Sequence, residues 1–311
     1  MQHEKSAMTT NLRGILAPAL TAVTDNFQIH AERTIAHFEW LLESGCDGLL
    51  VFGTTSEANS FSVLERRRLL EKAVGAGINP QKLLIGTGCC ALSDSIELTK
   101  HALQIGCAGV LTLPPFYYKQ VEEAGLFRYF ASLIDGVSDD RLRLYLYHIP
   151  PIAIVGFTFS LIEQLIAAFP TVIAGIKDSS GDWNHTKELI ARFSGRDLDI
   201  FAGDESCLLA AVRAGGAGSI SGVANVSAAS LQAIYRQGAE ADARQAAIGN
   251  ARRVFLQFAL IPSLKAIIAT KRCDKAWFNV RPPLLPLDER RATELFAQLD
   301  AAGFEWPESG R

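Results

Sequence analysis

VIAGIKDSSGD, residues 172–182, joins an apolar run to a lysine and then to a polar, glycine-bounded turn. The run reads as a buried strand that ends on an ammonium group. Lys177 therefore either snorkels to water along its own stem or stands where chemistry is done. The choice depends on what sheet the strand belongs to, and that is settled by other runs of the same kind.

Seven further stretches share its character: GILAPALTAV (14–23), GLLVFGT (48–54), KLLIGTG (82–88), GVLTLPP (109–115), LRLYLYHIP (142–150), DIFAGD (199–204) and GSISG (218–222). Between them lie segments of helical period such as TIAHFEWLLESG, VLERRRLLEKAVGAG, SDSIELTKHALQIG, LFRYFASLIDGV and FSLIEQLIAAF. Strands that are apolar on both faces and joined through helices pair in parallel, because a hairpin cannot make that connection. Eight such units favour a closed (β/α)8 barrel, a TIM barrel, over an open doubly wound sheet. Gly45, Gly77, Gly106 and Gly215 each follow a helical segment, as C-terminal caps do. Beyond about residue 224 the strand signal stops, and ASLQAIYRQG, DARQAAIGNARRVFLQFAL, IPSLKAIIATKR and DERRATELFAQLDAAG read as a helical extension. The expected division is an N-terminal tail (1–11), a barrel (12–224), and the last barrel helix with a C-terminal helical region (225–311).

Composition narrows the function. The chain is 49% hydrophobic and 20% charged over 311 residues, enough for a large core, and its net charge of -3 offers no basic field to a nucleic-acid backbone. No apolar run approaches the roughly 20 residues that span a bilayer. A short signal-like reading of GILAPALTAV yields to the strand reading because of its length and Pro18. A cytoplasmic location is expected. The six cysteines contain no CxxC pair, so neither a metal site nor a disulfide framework is implied, and no cofactor is expected.

In a barrel of this type the active site lies on the loops at the C-terminal ends of the strands. Those positions hold GTTSE, PPFYYKQ, YHIPP, KDSSGD, GDE and SISG. Lys177 suits an amine nucleophile that condenses with a carbonyl, a role favoured by desolvation or a cationic neighbour. Tyr147 ends the strand that lies next to that of Lys177. It is either a packed ring with a hydrogen-bonded tip or a shuttle for the protons of imine formation. Gly53 lets Thr54 and Thr55 turn hydroxyl and amide donors toward one point, a neutral cradle for a carboxylate. Glu57 reads as fixing that loop. Asp204, Glu205 and Ser221 are placed to meet hydroxyls of a sugar-like acid.

The segments GTTSE (53–57), PPFYY (114–118), YHIP (147–150), GIKDSSGD (175–182) and SISGVAN (219–225), in this order and spacing, resemble the dihydrodipicolinate synthase and N-acetylneuraminate lyase family over about residues 12–300. The resemblance implies a (β/α)8 barrel with a C-terminal helical region, usually a homotetramer. It also implies a class I lyase that works through a lysine imine of pyruvate or another 2-oxo acid. It makes Lys177 the imine lysine and Tyr147 the proton-transferring tyrosine, with Thr54 and Thr55 holding the carboxylate. Tyr118 matches a tyrosine that enters the neighbouring subunit's site and completes a hydroxyl relay. Gly203 and Ile220 match backbone positions lining the pocket.

Two departures bear on substrate. Dihydrodipicolinate synthases carry an arginine after the Tyr-Asn-Val-Pro-type motif that grips the carboxylate of aspartate semialdehyde. Here YHIP runs into PIAIVG, and Ile152 cannot make a bidentate carboxylate contact. The sequence thus argues against dihydrodipicolinate synthesis. His148, where asparagine is common, is either a satisfied packing residue or an extra donor near the second substrate. The expected function is a Schiff-base lyase or aldolase on pyruvate or another 2-oxo acid, with a dehydratase or deaminase of a 2-oxo (sugar) acid in the same family, or dihydrodipicolinate synthesis itself, as alternatives. A barrel that binds phosphate near RAGGAGSISG is disfavoured, because GGAG precedes its strand and so lies at the wrong end. A non-catalytic barrel that senses a 2-oxo acid also remains open.

Overall fold

Eight parallel strands close into a barrel in chain order in the computed structural model, which describes residues 12–196 and 198–306. The expected N-terminal tail, 1–11, lies outside the described residues. The strands are β1 (Gly14–Pro18), β2 (Gly48–Val51), β3 (Leu83–Gly86), β4 (Gly109–Thr112), β5 (Leu144–His148), β6 (Ile173–Asp178), β7 (Asp199–Ala202) and β8 (Gly218–Ile220). The helices are α1 (Ala31–Glu43), α2 (Val63–Gly75), α3 (Leu92–Ile105), α4 (Glu123–Val137), a short α5 (Pro150–Ala153), α6 (Phe159–Ala168), α7 (Trp183–Phe193), α8 (Leu208–Arg213), α9 (Ala224–Tyr235), α10 (Ala241–Phe255), α11 (Leu260–Lys271) and α12 (Glu289–Ala301). No single helix among them is long and apolar enough to cross a membrane.

The expected fold is the observed one, with shorter strands. β1 stops at Pro18 and not at Val23, because side chains take over from the ladder: Leu20 N–H donates to Asn225 Oδ1 at 3.0 Å and Ala22 N–H to Thr34 Oγ1 at 3.0 Å. Helix starts follow local chemistry. Ser62 and Glu65 form a reciprocal capping box at α2, with Ser62 N–H to Glu65 Oε2 at 2.8 Å. At the other end of a helix, Gly106 closes α3 at a φ of 87°, where a side chain would be strained.

Side-chain alternation sorts the strands into two cores. Leu16, Leu50, Leu84, Leu111, Tyr145, Tyr147, Phe201 and Ile220 fill the barrel interior. Ile15, Leu49, Val51, Ile85, Val110, Leu146, Ile176 and Ile200 face outward and pack under the helices. One strand breaks the alternation. Leu144 pairs with Ile173 but Tyr145 pairs with Gly175, so Ala174 is an extra residue on β6. Such a bulge switches the faces of everything beyond it. Ile173 faces out, yet Ile176 also faces out, and Lys177, opposite Tyr147, faces in. In a regular β6 without the bulge, the lysine would lie under the helices.

The C-terminal helices form a third core with the chain just beyond β1. Leu20 and Ala22 pack with Phe255, Leu264, Ile267, Trp277, Leu295 and Leu299. This places α10, α11 and α12 beside the mouth of the barrel, against the loops that leave β1 and β8.

Gly175 is the residue the bulge depends on. A Cβ there would lie 2.2 Å from the Asp199 carbonyl oxygen and 2.8 Å from the Tyr145 ring. Gly175→Ala should lower unfolding free energy by about 1–3 kcal/mol in chemical denaturation, as overpacking does. Gly125→Ala in α4, where a Cβ meets nothing within 4 Å, should leave it unchanged or slightly raised.

Candidate active site

β5 and β6 bring Tyr147 and Lys177 to the same register at the C-terminal end of the barrel. Lys177 is 4% exposed, its Nζ donates to Tyr147 Oη at 3.2 Å, and it lies 4.3 Å from the centre of the Tyr147 ring. Tyr147 Oη in turn is 3.5 Å from Thr54 Oγ1. An amine, a phenol and a hydroxyl thus form a chain across β6, β5 and the loop after β2. Tyr147 and Thr54 also line a cavity with Gly53, Gly88, Leu111 and Leu113.

The Thr54–Thr55 turn is tightly made. Glu57 N–H donates to the Thr54 carbonyl at 3.0 Å, and Ser56 Oγ reaches the Ala19 carbonyl at 2.6 Å. Phe52 and Glu57, on either side, sit at φ values of 61° and 60°. The Glu57 carboxylate forms an ion pair with Lys265 from α11, both side chains wholly buried, and accepts from Arg281 N–H at 2.7 Å. The expectation that Glu57 fixes the loop agrees with these contacts, whereas nothing in the sequence singled out Lys265.

Gly203 and Ile220 stand at the ends of β7 and β8. A Cβ on Gly203 would come within 2.0 Å of Ser179 Oγ, so β7 can approach the β6 turn only without a side chain. Ile220 is fully buried in the barrel interior. Tyr118 does not reach Lys177 within one chain. It is 74% exposed on the loop after β4 and packs edge-on against Tyr117, also 74% exposed, at 5.2 Å between ring centres. The sequence reading passed over Tyr117, which shares that exposure.

Comparison with known proteins places this arrangement. Residues 11–302 match the dihydrodipicolinate synthetase family. The chain belongs to this family. It is 36% identical to a DapA-like lyase of Chloroflexus aurantiacus over 92% of this chain and 95% of that one. Its fold superposes on the crystal structure of dihydrodipicolinate synthase from Agrobacterium tumefaciens with a TM-score of 0.88, at 31% identity over 94% of this chain and 99% of that one. A prophage protein of the dihydrodipicolinic acid synthase family from E. coli, solved in complex with pyruvate, gives a TM-score of 0.84 at 26% identity over 95% of this chain and 100% of that one. The protein is an enzyme of the lyase class.

Within the dihydrodipicolinate synthetase family fold, the rim of this chain is apolar. Ile152 and Ile154 are 63% and 64% exposed in and just after α5, beside the tyrosine loop that Lys119 ties to them through a bond to the Ala153 carbonyl at 3.2 Å. At the far side of the mouth Glu205 is buried, bonded through Oε2 to Ser221 Oγ, while its Oε1 lacks a hydrogen-bond partner and Arg252 stands 3.6 Å away. Burial raises the Glu205 pKa against the pull of Arg252. Asp204 caps the turn below, accepting from Ser206 N–H at 2.8 Å.

His148 is corrected by the structure. The pleat that points Tyr147 inward points His148 outward, away from the substrate side. Its Nδ1 accepts from Phe157 N–H at 3.0 Å and its ring stacks on His185 of α7 at 4.6 Å, so it is a satisfied packing residue. Asp178, beside it, accepts from His185 Nδ1, Thr186 Oγ1 and Ser180 N–H at 3.1, 2.6 and 3.0 Å. His148, Asp178 and His185 are close enough to share a metal ion. In each ring Nδ1 is engaged by the protein, that of His148 by Phe157 N–H and that of His185 by Asp178.

Burial lowers the His148 pKa to about 4, whereas the hydrogen bond to Asp178 raises that of His185. The signs oppose. His148 takes its proton in the unfolded chain near pH 6.5 and in the fold only near 4, so its contribution is full above about pH 6.5 and is lost as pH falls. His185 stabilises below about pH 6.5 and loses its effect as pH rises through its raised folded value. His148→Asn keeps an acceptor for Phe157 N–H. It should remove part of the fall in melting temperature between pH 6.5 and 4, while His185→Gln should flatten the profile above pH 6.5. Parallel melts of the two variants from pH 4 to well above 6.5 check both signs.

Proposed function

We propose that the protein is a class I lyase that captures pyruvate, or a 2-oxo acid containing its skeleton, as an imine on Lys177 and breaks or forms the carbon–carbon bond beyond the adjacent carbon. The observation that carries this reading is the buried chain from Lys177 Nζ through Tyr147 Oη to Thr54 Oγ1 at the mouth of the barrel. In it, the substrate carboxylate lies on the hydroxyls and amides of Thr54 and Thr55. Lys177 Nζ adds to the C2 carbonyl, and Tyr147 delivers the proton with which the carbinolamine hydroxyl leaves as water. The protonated imine then accepts the electron pair of the C3–C4 bond, and C4 departs as an aldehyde when its hydroxyl proton passes to Tyr147. The resulting enamine takes a proton at C3, and water releases pyruvate and the free lysine. Preorganised hydroxyls hold the developing charges in place.

Substrate choice follows the rim. The apolar Ile152 offers nothing to a second carboxylate, whereas Glu205 and Ser221 present polar groups on the opposite side, which favours a 4-hydroxy-2-oxo acid over aspartate semialdehyde. Dihydrodipicolinate synthesis itself is the competing reading, carried by the named relative of known structure. The exposed Tyr117, Tyr118, Ile152 and Ile154 form an apolar rim patch. A second copy of the chain docked there would bring a tyrosine hydroxyl toward Tyr147 and Thr54, as in a homotetramer built from such dimers. Six unpaired thiols accord with a reducing compartment, the cytoplasm.

Borohydride added with pyruvate should fix the reduced pyruvate mass on Lys177, and Lys177→Ala should abolish the adduct; an adduct on another lysine, or none, overturns the assignment. Tyr147→Phe should still form the adduct but turn over about 100-fold more slowly or worse, the usual weight of a proton-transfer group. Assays of pyruvate release from 4-hydroxy-2-oxo acids, set beside condensation of pyruvate with aspartate semialdehyde, separate the two readings. Tyr117→Phe and Tyr118→Phe, assayed in parallel, identify the tyrosine that works across the interface.

A further inference from the structure

Lys265 poses a problem that the proposed reaction does not solve. It sits in the apolar helix α11 with no exposed surface, one of the largest fully buried side chains in the protein. Its ammonium group has two acceptors, the Glu57 carboxylate and the Asn279 carbonyl at 2.8 Å. A leucine or methionine would fill the same space without desolvating a charge, and replacing buried ion pairs by apolar residues is often neutral or stabilising. Stability alone does not explain the pair.

What the pair holds does explain it. Glu57 is a non-glycine residue in the left-handed region, at φ 60° and ψ 31°. Such a conformation persists only where its surroundings over-determine it. The side chain of Glu57 is that constraint: one carboxylate oxygen meets Lys265, and the other accepts from Arg281 N–H. Arg281 also reaches the Ser60 carbonyl at 2.6 Å and the Glu65 carboxylate that caps α2. The C-terminal helical region therefore grips the chain immediately after Thr54 and Thr55, from the side away from the substrate.

We propose that Lys265, through its ion pair with Glu57, is a positioning residue that locks the Thr54–Thr55 turn in the shape that receives the substrate carboxylate. The inference rests on the imine reading above and deepens it. Lys265 touches neither substrate nor reacting atoms. Releasing it lets residue 57 relax toward ordinary backbone angles, and the convergent donors of the turn then spread.

The test uses pyruvate itself, so the second substrate need not be known. Trapping on Lys177 by borohydride is followed against pyruvate concentration, which separates half-saturation from the rate at the plateau. Glu57→Gln/Lys265→Met removes both charges and leaves an acceptor for Arg281 N–H. It should keep the wild-type fold by circular dichroism, raise the half-saturating pyruvate concentration about ten-fold or more, and change the plateau rate by no more than about three-fold, the pattern of lost ground-state binding. Glu57→Gln alone should shift half-saturation in the same direction, and it is read in place of the double variant if that one does not fold. Leu295→Ala, in the core of the C-terminal helices and not among the residues bonded to Glu57, is the control for general loosening and should keep wild-type half-saturation. Wild-type half-saturation in the charge-free variant, or an equal shift in Leu295→Ala, overturns the positioning role while leaving the imine reading intact. Absence of an adduct in the wild-type protein overturns the imine reading itself, and this inference with it.

Discussion

The extra residue at Ala174 decides which side of the barrel wall receives the ammonium group of Lys177. A parallel strand alternates its side chains strictly, and the face Ile173 presents to the helices would be the face of Lys177 as well. One unpaired residue reverses that parity, and the adjacent glycine lets β6 pass the Asp199 backbone and the Tyr145 ring while the reversal is made. The same step turns Asp178 outward, where it binds the start of α7 through Thr186 and His185. One irregularity thus aims the nucleophile inward and anchors the strand that carries it from outside.

The other half of the site is held from a different quarter. The cradle after β2 is fastened at its base by Ser56 to the chain leaving β1, and at its far end by Glu57 to α11. Both anchors are buried and neither points at the substrate side. The C-terminal helices, which add a core of their own against Leu20 and Ala22, are therefore part of the support of the mouth. Rigid backing of this kind keeps neutral donors converged without a fixed cation near the amine.

Much of the fold is legible in the sequence because buried parallel strands are apolar on both faces and glycine-capped helices separate them. The position of the site follows, since chemistry in such barrels gathers at one end of the strands, and Lys177, Tyr147 and Thr54 do come together there. The same double apolarity hides the bulge. In VIAGI every residue suits either face, so the direction of Lys177 cannot be read from the pattern. His148 escaped for a related reason: adjacent residues at a strand end look alike in sequence, yet the pleat sends one to each side. Lys265 was hidden as a lone lysine in an apolar helix, which reads as a snorkelling side chain until its partner, 208 positions away, is seen. Tyr117 and Tyr118 are neighbours with equal exposure in one chain, and only a second copy distinguishes them.

The most direct examination of this account is a crystal structure of the protein soaked with pyruvate. The account predicts continuous density from Lys177 Nζ to the C2 atom inside the barrel, the carboxylate resting on the Thr54–Thr55 turn, and β6 bulged at Ala174. A β6 without the bulge and with Lys177 directed under the helices, or pyruvate bound away from that nitrogen, would contradict it.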